Sequence, residues 1–292
     1  MGESLIDLIK VLRDRTGAGL MDCKGALLAN DCDLDKATDW LREKGLAKAA
    51  KKADRIAAEG LALTKACKCG CKTVIVEVNC ETDFVSKGDA FRELVEGVAA
   101  VILDKRPATV EEAKALTENL FTDATVKMGE KFDLRRFEVV EKENDDQQLT
   151  SYIHMGGKIA SVVLLEKEDA DLGKGLAMHV AANNPTYATK DEIPQETIDH
   201  ETKIQLEASK TDPKLVGKPA PVLEKIIAGK VSKYFADMVL SEQAYLLDDS
   251  KTVGQVLAEK GNKLVKFVRY QVGEGIEKRK DDFASEVMSQ VK

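Results

Sequence analysis

The chain has 292 residues, 43% of them hydrophobic and 33% charged, and a net charge of −7. That is the profile of a globular chain with room for two or three domains, and the acidic balance excludes a global electrostatic grip on nucleic acid, which needs a basic face. The longest apolar run, Val98–Leu103, is six residues, far short of the ~20 that cross a bilayer, so no membrane partner is expected.

The first 45 residues read as three short helices. Ser4 caps the first, with Asp7 three residues on in a capping-box-like position, and Leu5, Leu8, Ile9 and Leu12 form its apolar stripe. Thr16-Gly17-Ala18-Gly19 breaks it. A second helix carries Leu20, Cys23, Leu27 and Leu28 and ends at Asn30-Asp31. Asp33 caps the third, whose buried face is Leu34, Ala37, Trp40 and Leu41 and whose stop is Gly45. Asp7, Lys10 and Arg13 interrupt the apolar residues, so no signal-peptide core is read and a cytoplasmic chain is expected; a processed organellar protein would look the same.

Residues 46–59 form an Ala/Lys-rich linker helix. Leu41–Arg55 holds six basic residues and two acidic ones, and in so acidic a chain the segment reads as a solvated face rather than an RNA patch. The period then changes. Leu61, Leu63 and Lys65 alternate, as do Val74, Val76 and Val78 beyond a Cys/Lys/Gly turn, which predicts a β-hairpin.

After Glu81-Thr82-Asp83-Phe84-Val85 the helical period returns through Phe91, Leu94, Val95, Val98 and Ile102, followed by a helix over Val110–Phe121. Strands are predicted at Arg136–Val140, Leu149–His154 and Ile159–Leu165, joined by the acidic loop Glu141–Asp146 and the turn Gly156-Gly157. The helix Leu172–Ala182 closes at Asn183-Asn184-Pro185. Thr73–Val101 and Lys158–Ala182 both run strand, turn, helix, a weak internal echo.

Residues 195–247 read as a protruding antiparallel helical hairpin. Ile198, Ile204 and Ala208 line one arm, and Leu223, Ile226, Ile227, Tyr234, Phe235, Met238 and Val239 the other, with Pro213, Gly217, Pro219 and Pro221 between them. A helix Val253–Glu259, a strand Leu264–Gln271, a break at Gly273-Glu274-Gly275 and a final helix with Phe283, Val287 and Val291 complete an α+β chain.

No constellation of catalytic residues emerges. There is no phosphate-binding Gly-x-x-x-x-Gly-Lys-Ser/Thr loop and no Gly-x-Ser-x-Gly elbow, and His154 and His179 read as packing or contact residues. Cys67, Cys69 and Cys71 are the densest cluster of metal-type ligands, but a closed zinc site needs four. Cys80 lies nine residues further along a predicted strand, roughly 30 Å away at ~3.3 Å per residue. The tip is therefore read as tolerant of cysteine, with no metal and no cofactor, and all six cysteines as reduced. Thr82-Asp83-Phe84-Val85 stands where a strand ends and a helix begins. Phe84 either tucks into the core or points outward beside Asp83, and in the second case the pair has the make-up of an interface hot spot.

Read together, Thr16–Lys24 (TGAGLMDCK), Gly45–Lys52, Val78–Val85 (VNCETDFV), Ala177–Ala182 (AMHVAA) and Arg269–Lys278 (RYQVGEGIEK) resemble the elongation factor Ts family, in the family's order and across essentially the whole chain. The resemblance implies a ubiquitin-associated-like (UBA-like) three-helix domain at 1–45, a linker helix at 46–59, and a core subdomain at 60–145. A second core subdomain is implied at 146–194 and 248–272, with the hairpin 195–247 inserted in it and a C-terminal module at 273–292. It also implies a non-enzymatic guanine-nucleotide exchange factor whose partner is elongation factor Tu. Asp83 and Phe84, with Thr82 and Val85, would meet the partner's nucleotide domain and dislodge its magnesium. Leu12, Gly19, Leu20 and Met21 would grip the same domain, and His154, Met155 and Gly156 another. The Cys67–Cys71 tip departs from the family's usual hairpin. The competing readings are an interaction adaptor built on the three-helix domain and a thiol or zinc enzyme centred on the tip.

Overall fold

The computed structural model describes residues 4–213, 215–216 and 218–277. Gly217, Lys278 and the predicted final helix with Phe283, Val287 and Val291 lie outside the described residues. In chain order the elements are α1 (Leu5–Thr16), α2 (Leu20–Ala29), α3 (Leu34–Lys51), β1 (Glu59–Ala66), β2 (Lys72–Cys80), α4 (Asp83–Ser86), α5 (Asp89–Lys105), α6 (Val110–Met128) and β3 (Phe132–Glu141). There follow β4 (Gln148–His154), β5 (Ile159–Leu165), α7 (Ala170–Asn183), α8 (Gln195–Ser209), α9 (Ala220–Ala236), β6 (Ala244–Tyr245), β7 (Asp248–Thr252), α10 (Val253–Glu259) and β8 (Leu264–Gln271). The mixture of helix and sheet is the α+β class expected.

The chain divides into two compact units. The described part of the first is 4–139, 153–160 and 270–277; the second is Val140–Tyr152 with Ser161–Arg269.

In the first unit, helices α1 and α3 start where short polar side chains accept orphan backbone N–H groups, whereas α2 starts at Gly19 with no side-chain cap. Ser4 Oγ accepts from Asp7 N, and Asp33 Oδ1 from the backbone of Asp35 and Lys36. Their apolar faces close a small core of Leu8, Ile9, Leu12, Cys23, Ala26, Leu27, Ala37 and Leu41, against which Val126 of α6 packs. The predicted stop at Gly45 is not a stop, and α3 runs on to Lys51. A Cβ at Gly45 would lie 2.5 Å from Val126 Cγ2. The residue is glycine so that α3 can approach α6, and of the predicted linker helix 46–59 only 46–51 are helical, as the end of α3, while 52–58 run through turns and coil to β1.

The larger core of this unit lies between the sheet β1-β2-β3 and α5. β1 and β2 pair antiparallel from Glu59↔Cys80 to Ala66↔Thr73. Leu61, Leu63, Val74, Val76 and Val78 meet Phe91, Leu94, Val95, Val98 and Ile102, joined by Leu134 of β3. β2 is buried along nearly its whole length, as expected of the middle strand.

That burial includes a carboxylate. Glu77 is fully buried and accepts from Arg135 Nη1 at 3.0 Å, Arg136 Nε at 2.6 Å and the backbone N–H of Gly273 at 2.9 Å. A buried charge is tolerated only when paired and hydrogen-bonded in this way.

The second sheet, in order β4-β5-β8, falls mainly in the second unit. There Val163 and Leu165 pack against Leu172, Leu176 and Val180 of α7. His179 is buried in the same helix. Its Nδ1 accepts from the backbone N–H of Leu246 at 3.1 Å and its Nε2 faces Gln243 Oε1 at 2.8 Å, so the neutral ring donates to Gln243. It is a satisfied core histidine. Helices α8 and α9 pair along Ile198, Leu223, Ile227, Val231 and Phe235, whereas Ile204 and Tyr234, expected on the inner faces, are about half exposed.

Candidate partner-binding site

The site begins where β2 ends. Thr82 leaves the strand in an extended conformation and its hydroxyl accepts from Val85 N, so Asp83–Ser86 forms a single helical turn before α5 starts at Asp89. Val85 packs against the main core. With Val85 committed inward, the preceding side chain points away, and Phe84 is 86% exposed. Of the two orientations open from sequence, the ring takes the outward one. Beside it Lys87 Nζ donates to Asp83 Oδ2 at 2.6 Å, and this hydrogen bond holds the Asp83 carboxyl below the usual carboxylate range.

The turn is held from behind by two carboxylates that exchange backbone donors. Glu130 Oε2 accepts from Glu81 N at 3.0 Å and Thr82 N at 3.1 Å, and its Oε1 accepts from the Thr82 hydroxyl at 2.5 Å. Glu81 returns the arrangement, accepting from Lys131 N at 2.7 Å and from Arg55 Nη1 at 3.0 Å. Lys131 Nζ in turn donates to the carbonyl of Arg55 at 2.8 Å. Three separate segments are thereby tied at the root of the Phe84 turn. Sequence reasoning missed Glu130, Lys131 and Arg55, since no local spacing links them to residue 81.

The turn His154–Gly157 belongs to the same unit. Met155, Gly156 and Gly157 all adopt positive φ (49°, 65° and 103°), and a Cβ on Gly157 would lie 2.8 Å from Leu61 Cδ2. Gly157 carries both requirements, a left-handed backbone and a close approach to β1. Its carbonyl accepts from Ala62 N at 2.7 Å, the Gly156 carbonyl accepts from Arg92 of α5 at 3.4 Å, and Lys158 pairs with Glu59 at 2.6 Å. Met155, at the apex, is 71% exposed. Lys158 also contributes to the lowering at Asp83, which links the two turns electrostatically.

At the start of α2, Gly19 is exposed, Leu20 is 52% and Met21 71% exposed. Leu12 is corrected: it is fully buried in the three-helix core, because α1 turns its Leu8–Leu12 face inward, and it has no surface to offer a partner. Asp22, next to Met21, is partly desolvated, but hydrogen bonds from Lys44 and Lys48 at 3.1 Å hold its carboxyl below its ordinary value.

Among the described residues, Cys67, Cys69 and Cys71 form the single group with metal-ligand proximity. The expectation that all six cysteines are reduced does not hold at this tip: Cys69 and Cys71 are joined as a disulfide, their Cα atoms 5.4 Å apart, a spacing that permits the bond. No described helix is long and apolar enough to cross a membrane.

Fold and surface together define an α+β protein whose first unit displays large apolar side chains on turns and a helix start. The sequence model of the family described as Elongation factor TS matches residues 81–274, a span that includes the Phe84 and Met155 turns. The chain is 45% identical over 290 residues to elongation factor Ts of Pediococcus pentosaceus, covering 97% of each, and 46% identical over 297 residues to that of Limosilactobacillus reuteri, covering 100% of each. The chain belongs to the elongation factor Ts family.

Proposed function

We propose that the chain is a guanine-nucleotide exchange factor that binds elongation factor Tu in its GDP form and promotes GDP release during translation elongation. The observation that carries this reading is Phe84, an aromatic ring 86% exposed on a turn whose backbone is clamped by Glu130. A rigid, solvent-facing aromatic loses little freedom on docking, and aromatic side chains are enriched at interface cores.

Elongation factor Tu is a P-loop GTPase, which holds its nucleotide through backbone donors to the phosphates and a bound Mg²⁺. Phe84 enters between helices of the partner's nucleotide domain, and Asp83 disturbs the contacts beside it. Mg²⁺ requires near-ideal octahedral geometry, so a small displacement weakens it and the phosphate cradle together. Leu20 and Met21 hold the same domain, and the Met155 turn holds another. The coupling is reciprocal, so GDP must weaken the factor as much as the factor weakens GDP. A ~10³-fold effect requires about 4 kcal/mol, more than one aromatic supplies unaided, so the remaining contacts contribute.

The same reading assigns 1–45 to a UBA-like domain, 60–145 and 146–194 with 248–272 to two core subdomains, and 195–247 to an inserted helical hairpin. It also assigns the chain no catalytic residue of its own and a cytoplasmic location. Release of fluorescent GDP from preloaded elongation factor Tu tests it, with Phe84→Ala expected to slow release more than it weakens association. Release at the wild-type rate in that variant removes the wedge, and binding without any release by the wild-type chain favours the adaptor reading.

A further inference from the structure

The β1–β2 hairpin closes on a turn that gathers three sulfurs. Beyond the last strand pair, Ala66↔Thr73, the backbone N–H of Cys67 donates to the Lys72 carbonyl at 2.9 Å and that of Gly70 to the Cys67 carbonyl at 3.0 Å. This fold-back places the sulfurs of Cys67, Cys69 and Cys71 within 4.8 Å of one another. Cys67 Sγ lies 3.0 Å from Cys69 Sγ and 3.5 Å from Cys71 Sγ, and accepts a hydrogen bond from the backbone N–H of Lys72 at 3.1 Å. Backbone N–H groups aimed at sulfur stabilise thiolate charge as they do any anion. Lys65, Lys68 and Lys72 flank the three cysteines in the sequence. The tip is also open, with Cys69 exposed and its two companions partly so.

The other three cysteines are not available to this cluster. Cys23 is buried in the three-helix core. Cys80 is buried at the far end of β2, where burial pushes its thiol up to about 12, and Cys32 lies alone after α2. The tip therefore offers three soft ligands from one chain and leaves any further position to solvent.

We propose that, once reduced, this tip binds one thiophilic d¹⁰ cation, Zn²⁺ or Cu⁺, through the three thiolates of Cys67, Cys69 and Cys71. Soft thiolate sets select these ions. Around a tetrahedral ion with metal–sulfur bonds of ~2.3 Å the sulfurs stand about 3.8 Å apart, so the two Cys67 separations need to open by no more than roughly 1 Å, a side-chain adjustment on an exposed turn. Entry requires two balanced steps. A dithiol reductant gives two electrons and two protons to the Cys69–Cys71 disulfide and is itself oxidised to a disulfide. The cation then displaces three thiol protons, so apparent affinity rises with pH. Exposure makes the disulfide accessible to that exchange.

The test is titration of the reduced full-length chain with Co²⁺ as a spectroscopic stand-in for Zn²⁺, in a phosphine reductant without oxygen, followed by displacement with Zn²⁺ and, separately, by Cu⁺ delivered from a competing chelator. The expected result is a sulfur-to-cobalt charge-transfer band that saturates at one ion per chain. It is weakened in Cys67→Ser, Cys69→Ser and Cys71→Ser by more than the ~10–100-fold typical of losing an outer-shell partner, and retained in Cys32→Ser. Whichever ion displaces cobalt at the lower free concentration is the preferred one. Absence of the band, its survival in the three serine variants, or its loss with Cys32 overturns the proposal. Alkylation of the unmodified reduced chain gives an independent readout should a variant misfold: bound Zn²⁺ must protect residues 67, 69 and 71 and leave Cys32 reactive, and equal labelling of all four sinks the site.

Discussion

Glu130 takes both polar hydrogens of Thr82, the backbone N–H at 3.1 Å and the hydroxyl at 2.5 Å, so a carboxylate 48 residues away sets the cap of the turn that carries Phe84. The Thr82 hydroxyl in turn accepts from Val85 N. A chain of hydrogen bonds thus runs from α6's C-terminal flank into the first turn of α4. Glu130→Ala removes the acceptor from Glu81 N and Thr82 N together. Because the site is partly exposed, water replaces some of the loss, and the expected destabilisation is ~1–2 kcal/mol, within the range for lost hydrogen bonds to a charged group. The more telling measurement is GDP release: a positioning role predicts that Glu130→Ala slows it while Phe84 is intact, and an unchanged release rate would leave Glu130 with a purely structural part.

Phe84 itself should be neutral for stability. With the ring 86% exposed, Phe84→Ala gives up little buried area, and surface substitutions of this kind stay within about ±0.5 kcal/mol. Thermal unfolding of the variant should therefore overlay the wild type. A clear drop in midpoint would mean that the ring packs inward in solution, and the proposed wedge would lose its basis.

The contrast between Phe84 and its clamp marks what was legible in the sequence. Period and caps located the strands Ile159–Leu165 and Leu264–Gln271 and the helix Val253–Glu259 at the bounds observed, because each alternation or capping pair is local. The turn at 82–85 was legible as a turn, but two orientations stayed open for Phe84, since the deciding fact is that Val85 enters the core. Leu12 was read as a contact although its stripe with Leu8 and Ile9 is the core face. Glu130 and Arg55 were invisible for a different reason. They act on Glu81 and Thr82 across 48 and 26 residues, and no periodicity records such a pairing.

Glu77 should be the least replaceable carboxylate in the first unit. It is fully buried, and Arg135, Arg136 and the Gly273 N–H converge on it. Removing one member of a buried ion pair leaves the others uncompensated and costs ~3–5 kcal/mol. Glu77→Ala should lower the urea midpoint accordingly, and Glu77→Gln, which keeps the shape and one acceptor, should cost less. Equal stability of both variants to wild type would show that the arginines reach solvent instead.

His179 gives the second unit a pH dependence whose sign follows from its surroundings. Burial lowers its pKa from the ordinary value near 6.5, despite the opposing hydrogen bond to Gln243, and Asn183 and Tyr245 also face the ring. The folded state therefore resists the proton that the unfolded chain accepts. Its contribution is complete above about pH 6.5 and is lost as pH falls from there through the lower folded-state value. Unfolding midpoints followed from pH 7.5 to 5.5 should fall for the wild type and fall less steeply for His179→Gln, both ranges set by the ~6.5 reference. Parallel curves would assign the acid sensitivity to other groups.

Two glycines in the three-helix region make opposite predictions from the same substitution. Gly45 sits mid-helix in α3, where a Cβ would lie 2.5 Å from Val126 Cγ2 and 3.3 Å from Thr122 Cγ2. Gly25 sits mid-helix in α2, where a Cβ would meet nothing within 4 Å. Helix propensity favours alanine over glycine by ~1 kcal/mol at both, but at Gly45 the added methyl must push α3 off α6, and overpacking of that kind costs ~1–3 kcal/mol. Gly25→Ala should raise the thermal midpoint and Gly45→Ala should lower it or, at best, leave it level. If Gly45→Ala stabilised the chain as much as Gly25→Ala, then α3 and α6 would not be in close contact in solution, and the glycine at position 45 would need another cause.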